Sequence, residues 1–262
     1  MFWYFGYGSN TNLASLRAKG VVPRTSERAV LRGWRLRFNV HHFFHHEGGV
    51  ANIEPTGDAS NVVWGVVHLC KDEHLALLDA AEAYGHGYDR VEVSVHTDHG
   101  ERRAITYVGM LSFLDEGCRP TQRYLNILLK GAAAAGLDPS YIDALRRHPV
   151  YQKRPVSPFV PPPGEYPTFT ATTLTRIPPL TALAGSVFDM SGARWQHTFL
   201  HGLFGGKDMT LFHLKRLDTS DGSETLDKLK HDRLTTAQWE YLNEYLHEYN
   251  AEYVYVGRYL YE

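Results

Sequence analysis

Residues 2–10 read Phe2-Trp3-Tyr4-Phe5-Gly6-Tyr7-Gly8-Ser9-Asn10. Four aromatics in five positions predict a strand, and glycines at 6 and 8 predict that it ends in a sharp turn where backbone approaches something closely. A turn of that kind presents N–H groups that can cradle a carboxylate or a developing oxyanion. Outward from it, β-patterned runs at 36–40, 62–69, 89–95 and 103–111 alternate with helical stretches at 72–82 and 121–136. This pattern predicts a mixed α/β domain built largely on a sheet. The run PVYQKRPVSPFVPPPGEYP at 149–167 interrupts it, because repeated proline fixes φ and removes donors, so neither helix nor central strand persists. Beyond it, FTATTL (169–174), TALAG (181–185) and SVFDM (186–190) predict short strands. LTTAQWEYLNEYLHEYN at 234–250 predicts an amphipathic helix capped by Thr235 or Thr236. The chain therefore reads as α+β in two parts: a domain over 1–150, a Pro-rich linker over 151–167 and a small α+β domain over 168–262.

Composition narrows the function classes. A chain of 262 residues with 43% hydrophobic side chains and a net charge of −2 can bury one large core or two modest ones. A pI near 6.7 and scattered Lys and Arg argue against nucleic acid as a partner. No apolar run approaches the roughly 20 residues of a membrane span, and the N-terminal residues lack the basic region of a signal peptide. Two cysteines, Cys70 and Cys118, are too few for a disulfide framework. A cytoplasmic protein is the expectation.

The second chemical element is LALLDAAEAYGHGYDRVEVSV at 75–95, where Glu82 closes a helical run just ahead of a Gly-containing turn and a strand. A carboxyl group there can face a cleft, although a solvated helix-end Glu has the same local pattern. The combination of motifs decides between them. Y-G-S-N at 7–10, G-G-V-A-N-I at 48–53, V-W-G-V-V at 63–67, L-D-x-x-E at 78–82, Y-x-x-V-E-V at 88–93, P-T-Q-R-Y at 120–124 and G-A-x-x-x-G-L at 131–137 stand in the order and spacing of the γ-glutamyl cyclotransferase family, which residues 2–147 resemble.

That resemblance implies a small barrel-like mixed α/β fold, and intramolecular cyclisation of a γ-glutamyl amide or peptide to 5-oxoproline with release of an amine or amino acid. It places Glu82 as general acid/base and Tyr7, Gly8, Ser9 and Asn10 as the loop that holds the glutamyl moiety. Tyr88 and Tyr124 match tyrosines near the pocket, and no cofactor is implied for this reaction. The sequence departs from the family pattern at Ala83, where Gly is usual, and at Thr11, where Leu or Met is usual. These changes bear on leaving-group specificity.

Two further features invite other chemistry. His41-His42-Phe43-Phe44-His45-His46 clusters four imidazoles, but no carboxylate or thiolate pattern completes a familiar metal site. A partly exposed loop lining the substrate entrance is the better reading. In the C-terminal part, L-T-A-L-A-G-S-V-F-D-M-S-G at 180–192, F-G-G-K-D-M-T at 204–210, L-T-T-A-Q at 234–238 and Y-x-Y-V-G-R-Y at 253–259 resemble the cytochrome b5-like family, in its membrane-associated progesterone receptor branch. The resemblance implies a haem-sized cleft, with His201 at the ligand position and a redox or docking partner for the domain. His213 and His231 are further histidines without motif support, and the paired His-Pro-Gly-Gly signature is missing. The alternative to the enzyme is thus a haem or small-ligand binding protein whose first domain has lost turnover.

Overall fold

The computed structural model describes residues 1–231 and 233–262. They form two compact units, one of Met1–His42 with Glu47–Gln152, the other of Phe43–His46 with Lys153–Glu262.

The first unit contains β1 (Phe2–Gly6), α1 (Leu13–Ala18), β2 (Thr25–Arg32), β3 (Trp34–His41), β4 (Gly49–Pro55), β5 (Val62–Cys70), α2 (His74–Ala81), β6 (Tyr88–Thr97), β7 (Gly100–Gly109), α3 (Gln122–Ala134) and α4 (Pro139–Arg146). Strands β1-β5-β2-β6-β7 close into a barrel, while β3 and β4 form a separate two-stranded ribbon. The barrel pairs are antiparallel except where β1 meets β7 in parallel at Tyr4 and Ile105. Alternation along the strands sends Phe5, Ala29, Leu31, Val63, Val67, Val93, Val95 and Ala104 into one core. Helix α3 joins that core through Tyr124, Leu125 and Leu128.

Local chemistry sets the helix ends. Asn12, Thr121 and Asp138 cap α1, α3 and α4 with side-chain oxygens that accept from backbone N–H groups. Gly131 on α3 lies directly over the turn that follows β1: a Cβ there would stand 2.6 Å from the Asn12 nitrogen and 2.5 Å from Thr11 Oγ1. Alanine would gain about 1 kcal/mol of helix propensity at such a site, but the clash is with backbone and forces the turn to move. Close approach of α3 is therefore what fixes the position of the Tyr7–Asn10 turn.

The second unit contains β8 (Thr168–Phe169), α5 (Ala171–Thr175), β9 (Leu180–Leu183), β10 (Ser186–Asp189), α6 (Leu200–Phe204), α7 (Thr210–Leu214), α8 (Leu226–Lys230), α9 (Thr236–Glu252) and β11 (Val254–Tyr259). Its sheet has the order β8-β11-β10-β9. The strand expected at 169–174 is corrected: only Thr168–Phe169 pair with β11, and the chain then turns into α5. Thr170 and Thr173 form a reciprocal capping box, so the hydroxyls that favour a strand by β-branching here start a helix instead. Thr235 caps α9 in the same way with Gln238. Tyr241, Tyr245 and Tyr249, spaced by four, form its buried stripe. Among the described residues no helix is long and apolar enough to cross a membrane.

Candidate active site

Tyr4, Tyr7, Gly8, Ser9, Asn10, Ala51, Glu82, Tyr88, Tyr107 and Tyr124 line a narrow slot in the first unit, about 30 Å3 in volume. Tyr7, Gly8, Ser9, Asn10, Glu82, Tyr88 and Tyr124, the residues the family resemblance picks out, therefore lie on one surface. Glu82 ends α2 as its C-cap, with its N–H on the Leu78 carbonyl. Ala83 follows at φ +50° and Gly85 at φ +80°. The left-handed step at Ala83, which disfavours any residue with a Cβ, turns the chain back toward β6, so Glu82 stays at the barrel mouth.

Around the carboxylate the polar groups are tightly connected. Asn10, only 3% exposed, donates through Nδ2 to Glu82 Oε1 at 2.8 Å and to the Tyr4 hydroxyl at 2.6 Å. Lys19 donates through Nζ to Asn10 Oδ1 at 2.6 Å and stands 3.4 Å from Glu82 Oε1. The Lys19 and Glu82 side chains are 9% and 17% exposed. No sequence motif marks Lys19; the available signal is that a six-residue helix after the turn returns the chain to it.

The tyrosines differ in what their hydroxyls have left to give. Tyr7 donates to the Tyr107 carbonyl at 2.6 Å and Tyr88 to the Ala51 carbonyl at 2.7 Å, so both protons are spent on protein. Tyr124 instead accepts from the Ala51 N–H at 3.1 Å, and its own O–H remains to donate. Burial raises the pKa of Tyr4, Tyr7 and Tyr88 well above the usual phenol range and pushes Tyr124 up to about 12. All four are neutral donors at neutral pH. A Cβ on Gly8 would come within 2.9 Å of the Tyr124 oxygen, so glycine is needed where the turn meets that hydroxyl.

His68 supports the turn from β5. Its Nε2 lies 2.9 Å from the Asn10 carbonyl and its Nδ1 2.8 Å from Ser26 Oγ, which assigns the Nε2–H tautomer. Burial lowers its pKa from 6.5 to about 4. Between those values the unfolded chain binds a proton that the folded one does not, so stability is full above pH 6.5 and is lost as pH falls toward 4, by about 3 kcal/mol over the interval. Urea unfolding from pH 7 to 4 is expected to show this slope and His68→Gln to reduce it; an unchanged slope in the variant would assign it to other groups. His197 in the second unit is shifted in the same direction by burial, so the comparison with the variant is what isolates His68.

The histidine run does not reach the slot. His45–Glu47 form a 3-10 turn, so the run is not a single strand, in which His42 and His46 would share a face. Phe43–His46 belong to the second unit, where Phe44 packs against Phe204, Tyr245 and Tyr249. None of residues 41–46 lines the slot, against the expectation of an entrance loop. Among the described residues no group of three or more His, Cys, Asp and Glu could hold a metal ion.

In the second unit a cleft of about 580 Å3 is lined by residues that include Phe159, Trp239, Tyr255 and Arg258. His201, on α6, is not among them, and its Nε2 stands 2.9 Å from the Met190 carbonyl. As folded, that nitrogen is taken by a carbonyl and does not fit an axial haem ligand. His213 is buried with Nε2 2.9 Å from Tyr249 OH, and His231 is exposed beside Asp227.

A small closed barrel that gathers a largely buried carboxylate and protonated phenols around one slot is an arrangement suited to acid/base chemistry on a small polar substrate. Comparison with known proteins agrees. Residues 62–145 match the AIG2-like family. The human γ-glutamylcyclotransferase is 31% identical over 152 residues, spanning 55% of this chain and 77% of that protein. A γ-glutamyl cyclotransferase of Aspergillus oryzae is 27% identical over 173 residues, 58% of this chain and 63% of that protein's length. A solved structure of a γ-glutamyl cyclotransferase shares the fold at a TM-score of 0.50 and 25% identity, covering 58% of this chain and 90% of that one. The chain belongs to the γ-glutamylcyclotransferase family, and its barrel unit is the part that does so.

Proposed function

We propose that the first unit cyclises a γ-glutamyl amide or peptide, releasing 5-oxoproline and a free amine or amino acid. The observation that carries this reading is the Glu82 carboxylate at the slot, held by Asn10 and Lys19 beside the Tyr7–Asn10 turn. In the reaction the substrate's α-amino nitrogen forms a bond to its own γ-carbonyl carbon and the bond from that carbon to the leaving nitrogen breaks. Glu82 takes a proton from the attacking nitrogen and returns it to the leaving one, so a single carboxyl serves both steps. Holding the two ends of one chain together removes most of the entropic barrier. The slot is water-sized, so a glutamyl chain spreads its walls on entry.

Because Tyr124 keeps a proton to donate and Tyr88 does not, Tyr124 is the better donor to a substrate carboxylate or carbonyl. Tyr124→Phe is expected to raise KM or lower kcat/KM by roughly tenfold, the worth of one hydrogen bond to a charged group. Tyr88→Phe is expected to leave ligand binding nearly intact and to lower stability. Steady-state kinetics of 5-oxoproline release from γ-glutamyl amino acids, γ-glutamyl amines and glutathione test the function itself. Absence of product across the panel sinks it.

A cytochrome b5-like second unit remains a proposal that rests on its motif order alone. A redox or docking role belongs to the same reading. The bond from His201 to Met190 speaks against haem at that residue, and a visible spectrum with a Soret band would overturn this.

A further inference from the structure

Among the described residues Lys19 is the cation in contact with Glu82, and the proposed chemistry gives it no proton to move. Its ammonium touches Asn10 Oδ1 at 2.6 Å, Glu82 Oε1 at 3.4 Å and Ser9 Oγ at 3.5 Å. It does not line the slot, so it approaches the carboxylate through the wall and not from the substrate side. An ammonium that is 91% covered costs several kcal/mol unless paired, and Glu82 is its acidic neighbour.

A donor-only side chain also decides which way an amide points. Lys19 can face only the Oδ1 end of Asn10, so Nδ2 is turned to Glu82 and Tyr4. Both the Lys19 and Asn10 contacts fall on Oε1. Oε2 is then the oxygen that exchanges the proton.

We propose that Lys19 is a positioning residue of the acid/base site, fixing the Asn10 amide and holding Glu82 by Oε1 so that Oε2 faces the reacting nitrogens. The inference rests on the cyclotransferase reading and adds a residue to it. The other titratable groups facing Glu82 are the phenols of Tyr4, Tyr7, Tyr88, Tyr107 and Tyr124, all kept protonated by burial. Among the described residues Lys19 is therefore the cation that meets the carboxylate.

The test compares wild type, Lys19→Met and Lys19→Arg with γ-glutamyl-L-alanine as substrate. For Lys19→Met, kcat is expected to fall at least about tenfold with KM nearly unchanged, as misplacement of a catalytic group does. Lys19→Arg keeps the charge and the donor and is expected to restore kcat. The Asn10 side-chain amide resonances in 1H–15N NMR spectra of the same proteins give a readout independent of turnover, and they are expected to shift strongly in Lys19→Met alone. A Lys19→Met protein that folds and matches wild type in both kcat and the Asn10 resonances overturns the proposal while leaving the function standing. If wild type makes no product, the cyclotransferase reading falls and the Asn10 resonances alone decide the role of Lys19.

Discussion

Glu82→Gln is expected to abolish 5-oxoproline release, with kcat lowered by about 10²–10⁴, the range that a positioned general acid/base supplies. Glutamine fills the same volume and can accept from Asn10 Nδ2 and Lys19 through its amide oxygen, so the turn and the barrel are expected to hold. It carries no proton to shuttle between attacking and leaving nitrogen. KM is expected to change little, because in the proposed function the turn and Tyr124, not Glu82, hold the glutamyl moiety. Steady-state kinetics with a thermal melt on the same sample check both points. A variant that keeps more than a tenth of wild-type kcat would remove Glu82 from the chemistry.

The largest stability effect is expected from Arg123→Met. Arg123 on α3 pairs with Glu47, whose side chain is 0% exposed. Removing one partner of a buried pair takes away the other's counter-charge and costs about 3–5 kcal/mol. The pair also sits where function would feel it: Arg123 precedes Tyr124, and Glu47 precedes the β4 strand whose Ala51 bonds both Tyr88 and Tyr124. Arg123→Met is thus expected to lose activity along with stability in a urea unfolding series. Replacing both, as Glu47→Leu with Arg123→Met, is expected to recover much of the stability, since neither charge is then stranded. A single variant as stable as wild type would show the pair to be dispensable.

What the sequence discloses and what it conceals divide along physical lines. The Tyr7–Asn10 turn and Glu82 are legible because each sits at an element boundary marked by glycine, and several such marks stand in a fixed order. Lys19 is not, because its role depends on the length of α1 and on a contact with a side chain 63 positions away. Closure of the barrel between β1 and β7 is likewise a pairing of remote segments with no local signature. At 169–174 threonine points both ways: its branching favours strand and its hydroxyl favours a helix cap, and the reciprocal bonds of Thr170 and Thr173 decide for helix. The histidine run, read from sequence as a loop at the substrate entrance, instead includes a 3-10 turn over His45–Glu47 and supplies no residue to the slot, a placement with no local signature.

Intramolecular attack is the core of the account, and isotope labelling tests it most directly. A γ-glutamyl donor turned over in H2(18O) by the wild-type protein is expected to give 5-oxoproline with no 18O, because the γ-carbonyl oxygen is retained and the nucleophile is the substrate's own nitrogen. Glutamate carrying 18O in its γ-carboxyl group would show that water attacks instead, and would contradict the cyclotransferase reading of Glu82 and its slot.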